Sequence, residues 1–399
     1  MTKDIDKEIE RLKEKERKPL LDAVIWGNVK INDLLDADML ESKGYLFRSE
    51  KNPVKVVLPD GQTFCSLTIN DPEIGKFKAG AILQKNIKIE YGILATNIKG
   101  SPLGNMVGNT AEETIDSLRD SLQMMGEKCG VITDPTGITA KKAEIQRTFR
   151  LDDLYELYQR VLKLIFAIIP PKSRLTNTIK FGTNADGTTT EQTFYVNSRS
   201  SRKSENYREL KVYDKGKERQ EHLGITFDDT WVRIELTLIG SKTIKNAFGS
   251  RDLEIFTDSI IADYFNSQMQ ELIIKPYWKW KAKRDKELLK LLKEERAKDS
   301  KKWIVSSLSK IINREVKNGG VPFVLGIDEI LAAVDQMGLE RRTKSRAKKN
   351  FLLYGQRNAD ALMQGDDTRL KEFIDKLDVT KCHISSRKKC DTQNMLETK

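Results

Sequence analysis

Between Thr193 and Leu238 the chain places phenols, amines, a guanidinium and carboxylates at alternate positions. In YRELKVYDKGKE, Tyr207, Glu209, Lys211 and Tyr213 fall on one face of a period-two pattern, and Leu210 and Val212 on the other. In TWVRIELTL, Arg233, Glu235 and Thr237 oppose Val232, Ile234, Leu236 and Leu238. As neighbouring strands these segments would gather all of those groups on one sheet face. The chemistry that uses such a set is phosphodiester transesterification. A tyrosine hydroxyl attacks phosphorus and becomes covalently attached. Carboxylates hold a hard divalent cation, and Lys and Arg balance the charge that develops. Tyr213 is the candidate nucleophile, with Tyr207 as second choice. Glu235, Asp214 and Glu218 are candidate metal ligands, joined by Glu144 if its strand lies beside that of Glu235. Lys211, Lys215 and Arg233 would face the phosphate. The residues leave one alternative open: a surface hairpin turning at Asp214-Lys215-Gly216-Lys217, its charges solvated.

The pieces TFYVNSRSS, ELKVYDKGKE and WVRIELTL resemble the signature of tyrosine rolling-circle replication initiators. The likeness is to the Rep-trans type of Gram-positive plasmids and integrative elements. IKIEYGILA (Ile87–Ala95) is similar to that family's early strand, and Ala143–Ile165 to its strand-then-helix. The similarity runs roughly from Ile87 to Trp280. SRSSRKSENYRELK is longer than the family's usual link, which leaves the placement of Tyr207 and Tyr213 open. The resemblance implies an enzyme that nicks one DNA strand at an origin, stays attached to the 5′ phosphate through tyrosine, and rejoins the strand. The runner-up is an origin-binding replication or partition protein without chemistry. Recruitment of a helicase, or a homodimer, fits either.

Composition narrows the partners. Of 399 residues 38% are hydrophobic, enough for a sizeable core, and Lys plus Arg exceed Asp plus Glu by 70 − 59 = 11. That surplus suits a polyanion. Two histidines, His222 and His383, exclude a His-x-His metal strand and zinc sites built on histidine pairs. An ion bound here would be held by oxygen, hence Mg²⁺ or Mn²⁺. The four cysteines are scattered, which fits a reducing cytoplasm. No run reaches the ~18 apolar residues of a membrane span, and MTKDIDKEIERLKEKERK lacks an apolar signal core.

The pattern predicts an α+β fold: a central antiparallel sheet with helices packed on one face, then an all-α basic C-terminal region. The expected divisions are 1–80, an N-terminal helix and accessory hairpin; 81–274, the nicking domain; 275–374, a basic helical DNA-binding region; and 375–399, a disordered tail. Residues 1–30 read as a charged helix ending near Trp26-Gly27. Val54 to Ile69 reads as a hairpin about Asp60-Gly61. Thr110 with Glu113 predicts a capping box. Leu154, Leu157, Tyr158, Val161, Leu162 and Ile165 form one apolar helical face. Phe248–Ile274 reads as a helix that Pro276 ends, and His222 as a loop residue. Lys275 to Lys349 holds 21 Lys/Arg against 10 Asp/Glu. There Trp278 and Trp280 alternate with lysines, as base-stacking aromatics do among phosphate-binding cations, while Trp303 reads as core. IDEILAAVDQ, Met337-Gly338-Leu339 and ERRTKSRAKKNFLLY have the form of a helix-turn-helix. Its second helix would present Arg341, Arg342, Lys344, Arg346, Lys348 and Lys349 to a duplex.

Overall fold

The computed structural model describes residues 9–16, 18–27, 30–31, 42, 46–47, 63–71, 75–83, 87–96, 107–129, 133–134, 137–169, 175–183, 189–198, 207–223, 227–358 and 365–378. Its strands are β1 (Leu20–Gly27), β2 (Lys30–Ile31), β3 (Leu46–Phe47), β4 (Thr63–Asp71), β5 (Gly75–Leu83), β6 (Ile87–Thr96), β7 (Thr133–Asp134), β8 (Thr139–Leu151), β9 (Leu175–Thr183), β10 (Thr189–Ser198), β11 (Tyr207–Asp214) and β12 (Thr230–Ile239). Ten of them form one sheet in the order β3-β4-β5-β6-β1-β8-β12-β11-β10-β9. Neighbours within it run antiparallel throughout.

Period-two patterning decides which face each side chain takes. Ile145 and Phe149 of β8, Ile234, Leu236 and Leu238 of β12, Leu210 and Val212 of β11, and Phe194 and Val196 of β10 share one face and are buried. Helices cover that face and share its core: α1 (Ala111–Cys129), α2 (Gln159–Ile168), α4 (Ser241–Phe248), α5 (Asp258–Met269) and, at the chain's far end, α10 (Asp366–Leu377). A sheet whose apolar face, at β1, β8, β10, β11 and β12, is buried beneath helices is the predicted α+β arrangement. A further helix, α3 (Lys215–Leu223), begins where β11 ends.

The capping box opens α1 as its spacing requires. Glu113 N–H donates to Thr110 Oγ1 at 3.1 Å and Thr110 N–H to Glu113 Oε2 at 2.8 Å. Other expectations fail for physical reasons. Leu20–Gly27 is a strand rather than the end of a helix, because an apolar stretch paired on both sides outweighs helix propensity. Leu154 and Leu157 are exposed, since Tyr155–Tyr158 forms a 3₁₀ turn and α2 begins only at Gln159. His222 lies in α3 rather than in a loop. The Asp60-Gly61 turn falls outside the described residues; β4 pairs with β3 and β5. Residues 375–377 close α10 instead of opening a tail, and the tail from 379 lies outside the described residues.

Pro276 does not end its helix. After α5 a π-helical turn, Gln270–Ile274, leads without interruption into α6 (Lys275–Lys298). The Lys275 N–H reaches back to the Gln270 carbonyl, one residue further than α-helical bonding. The widened turn accommodates the N–H that Pro276 lacks. Helical structure therefore runs from Asp258 to Lys298, with Ile273 in the sheet's core and Leu292 in a second core. That second core lies among α6, α7 (Trp303–Lys317), α8 (Ile327–Asp335) and α9 (Arg341–Asn358), with Trp303 edge-on to Phe351 at 5.3 Å. No helix among the described residues is long and apolar enough to cross a membrane.

Candidate active site

The sheet face opposite the helices is polar, and pairing register assembles it. Lys211 lies opposite Glu235, Tyr213 opposite Arg233, and Glu209 opposite Thr237. On the other flank Glu235 pairs with Gln146, Arg233 with Thr148, and Thr237 with Glu144. Four residues expected to act together thus share one patch: Tyr213, Lys211, Arg233 and Glu235.

Glu235 is its centre and is buried. Its carboxylate forms a short ion pair with Lys211 Nζ and accepts from Tyr213 Oη at 3.3 Å and from Thr237 Oγ1 at 3.3 Å. Burial alone would raise its pKa, but Lys211 and Arg233 outweigh that and hold it ionised. Burial would likewise lower the Lys211 ammonium's pKa, and Glu235 reverses the shift. The Tyr213 phenol is half-buried, and burial pushes it well above the ordinary tyrosine range. Lys215 and Lys211 place their ammonium groups 5.6 and 6.0 Å from its ring centroid.

Arg233 is fully buried. Its Nη1 donates to Asp22 Oδ1 at 2.8 Å and its Nε to Thr148 Oγ1 at 3.1 Å. Thr148 in turn donates to Gln146 Oε1 at 2.6 Å. Asp22 reaches this face through a β-bulge, because Leu21 pairs with Ile145 while Ala23 already pairs with Glu144. Asp22 and the Gln146–Thr148 link are partners of Arg233 that sequence reasoning missed. A lone acid inside LLDAVIWG was the available signal.

The other expected residues are placed differently. Asp214 alternates to the opposite face, beside Val232, and caps α3 by accepting from Lys217 N–H at 2.9 Å; burial pushes its carboxyl up to about 6. Gly216 and Lys217 thereby enter a helix rather than a hairpin turn. Glu218 pairs at 2.6 Å with Lys215, the lysine that lies over the Tyr213 ring. Lys215 is buried, and burial, then Arg233, lowers its pKa to about 7. Glu144 joins the polar face but is paired with Lys142 at 2.5 Å; burial and the Glu235 carboxylate raise its pKa. Tyr207 is buried, donating to Glu209 Oε2 at 2.5 Å. Six residues from Tyr213 along one strand, it lies roughly 20 Å away and does not share this patch.

The carboxylates expected to hold an ion therefore do not converge. Asp214 is on the wrong face, Glu218 and Glu144 each close on a lysine, and Glu235 is already satisfied by Lys211, Tyr213 and Thr237. Among the described residues no group of three or more His, Cys, Asp or Glu side chains is arranged to hold a metal. As folded, the patch does not fit the octahedral oxygen set that Mg²⁺ or Mn²⁺ requires.

Outside the sheet, Trp278 is 48% exposed, whereas Trp280 is partly buried with the Arg284 guanidinium 4.6 Å over its ring. Of the six cations expected in the helix-turn-helix, Arg341, Arg342, Arg346 and Lys349 are exposed. Lys344 and Lys348 turn toward α8 and pair with Asp335 at 3.9 and 2.6 Å.

No family model and no curated protein matches this chain. Among solved structures it is similar to a rolling-circle replication initiator protein from Geobacillus stearothermophilus, at 12% identity and a TM-score of 0.29, over 64% of this chain and 85% of that one. It is also similar to a di-domain ARO/CYC protein of a biosynthetic pathway, at 9% identity and a TM-score of 0.17, over 60% of this chain and 98% of that one. Scores this low leave the functional reading to the residues themselves.

Proposed function

We propose that this protein is a replication initiator that cuts and reseals one DNA strand through a tyrosyl–DNA intermediate at Tyr213. The observation that carries the reading is the Tyr213–Glu235 hydrogen bond at 3.3 Å, with three cations around it: Lys211 paired to Glu235, Lys215 over the ring, and Arg233 directly across the strand pair. A phenol whose pKa is raised does not ionise at rest. Its proton must leave as the new bond forms, and the ionised Glu235 carboxylate is placed to accept it. Tyr213 Oη bonds to phosphorus, the P–O3′ bond breaks, the proton passes to Glu235, and the departing 3′ oxygen is protonated from solvent. At rest Lys211, Lys215 and Arg233 are paired with Glu235, Glu218 and Asp22; once Glu235 takes the proton, Lys211 is released from its ion pair to meet the negative charge on the pentavalent phosphorus. Resealing is the same path reversed: the 3′ hydroxyl attacks, Glu235 returns its proton, and tyrosine leaves.

The test is a covalent adduct. Full-length protein incubated with supercoiled plasmid DNA carrying its origin, or with single-stranded oligonucleotides tiling it, should yield DNA-linked protein on a denaturing gel. Tyr213→Phe should abolish the adduct and Tyr207→Phe should retain it. Adduct persisting in Tyr213→Phe refutes the assignment. Tight, salt-sensitive binding with no adduct from the parent protein would instead support an origin-binding protein without chemistry.

A further inference from the structure

The helical module carries a surface that the sheet chemistry does not use. Along α9, Ala347, Phe351 and Gly355 form the inward stripe and are buried. Gly355 lets α8 approach closely: a Cβ there would meet Ile327 Cδ1 at 3.2 Å. Gly338, with φ +69°, turns the chain between α8 and α9, while Met337 and Leu339 on either side of it are buried. Two helices joined by a tight turn and braced against α7 leave the outward side of α9 uncovered. That side presents Arg342, Arg346 and Lys349 at helical spacing, all exposed and without an ion pair among the described residues.

The charge runs against helix electrostatics. The first turn of α9 contains no acid and begins with two arginines, at the end of the helix dipole that repels cations. Helices α1, α8 and α10 open with acids, Glu112 and Glu113, Asp328 and Glu329, and Asp366 and Asp367, whereas α2, α4, α6 and α7 carry none in the first turn. Arg342, Arg346 and Lys349 extend that positive charge along the exposed side of the helix, where it complements an anionic partner. We infer that α9 docks in the major groove of duplex DNA, with Arg342, Arg346 and Lys349 against the duplex and Lys344 and Lys348 bracing α9 to Asp335. The major groove of B-form DNA admits an α-helix, whereas the deep, narrow major groove of duplex RNA does not. This surface is independent of the proposed chemistry at Tyr213.

The probe is a mixed-sequence 30-base-pair DNA duplex read by fluorescence anisotropy against the full chain across a salt series. Three phosphate contacts contribute about 2.7 to the slope of log affinity against log salt. Arg342→Ala/Arg346→Ala/Lys349→Ala should lower the slope by that amount. Between 50 and 200 mM salt the parent should then lose about 40-fold more affinity than the variant. Lys344→Ala/Lys348→Ala should leave the slope near that of the parent. Thermal melting and adduct yield on single-stranded oligonucleotides should be unchanged in the triple variant. Should that variant fold poorly, Arg346→Glu alone must lower duplex affinity with an unchanged melt. The inference is overturned if the triple variant keeps the parental slope. It is also overturned if duplex RNA, or vesicles of anionic lipid, bind as tightly and lose binding in parallel. Loss of the Tyr213 adduct alone would leave it standing.

Discussion

Asp22 is the residue that most directly tests whether the polar face is built as described. Arg233 is fully buried, and Asp22, with 9% of its side chain exposed, provides the carboxylate against its Nη1 at 2.8 Å. Burial would lower the arginine's pKa; Asp22 is the largest influence reversing that shift. Removing one partner of a buried ion pair costs about 3–5 kcal/mol, because the remaining charge is left in a medium that solvates it poorly. Asp22→Leu should show that full loss. Asp22→Asn keeps an oxygen able to accept from the guanidinium, a contact worth roughly 1 kcal/mol, so its loss should be about 2–4 kcal/mol. Pairing Asp22→Leu with Arg233→Met removes both charges, and replacing a buried pair by apolar side chains is commonly neutral or better. The double variant should therefore be more stable than Asp22→Leu alone. Urea unfolding followed by tryptophan fluorescence gives these differences, provided the denaturant slope is unchanged. Asp22→Leu within ~1 kcal/mol of the parent would refute the reasoning, as would a double variant no more stable than the single.

Three further outcomes follow from the site and its surroundings. Lys215 has its pKa lowered to about 7 in the folded protein from an ordinary 10.5, so the unfolded chain binds more protons between those values. Stability should accordingly rise with pH from about 7 to 10.5 relative to Lys215→Met, and melting curves across that range that stay parallel would exclude a buried lysine here. Trp278→Ala should weaken binding of a single-stranded oligonucleotide by about 1–3 kcal/mol, the value of one stacked base, without lowering the melting temperature. Trp280→Ala should lower the melting temperature, because Arg284 loses the ring it lies over; equal effects of the two variants in both assays would contradict their different exposure.

How much of this was legible in the sequence depends on the range of the interaction concerned. Period-two patterning placed Tyr213, Lys211, Arg233 and Glu235 on one face because alternation is local and register between β11 and β12 merely aligns two such patterns. The same alternation carried Asp214 to the far side; grouping it with Glu235 followed sequence proximity to Tyr213, whereas one residue along a strand reverses direction. Asp22 was illegible for a different reason. Its place depends on a strand more than a hundred residues distant in sequence, where Leu21 pairs with Ile145 and Ala23 with Glu144, and on the bulge that shifts register between them; the charged run before it favours helix when read alone. Arg147 follows the same logic. It lies on the helix-covered face, where a cation is unexpected, and its Nη1 donates to the carbonyl of Leu377 at 2.9 Å. The end of α10 returns to that face and supplies an acceptor for the buried guanidinium. Lys376 of the same helix donates to the Arg150 carbonyl at 2.6 Å. The C-terminal helix therefore satisfies polar groups of β8, the strand that supplies Thr148 to Arg233 on the opposite face. Strand β8 is consequently held from both sides by cation contacts that no local pattern announces, and the geometry around Tyr213 depends on chain segments at both ends of the protein.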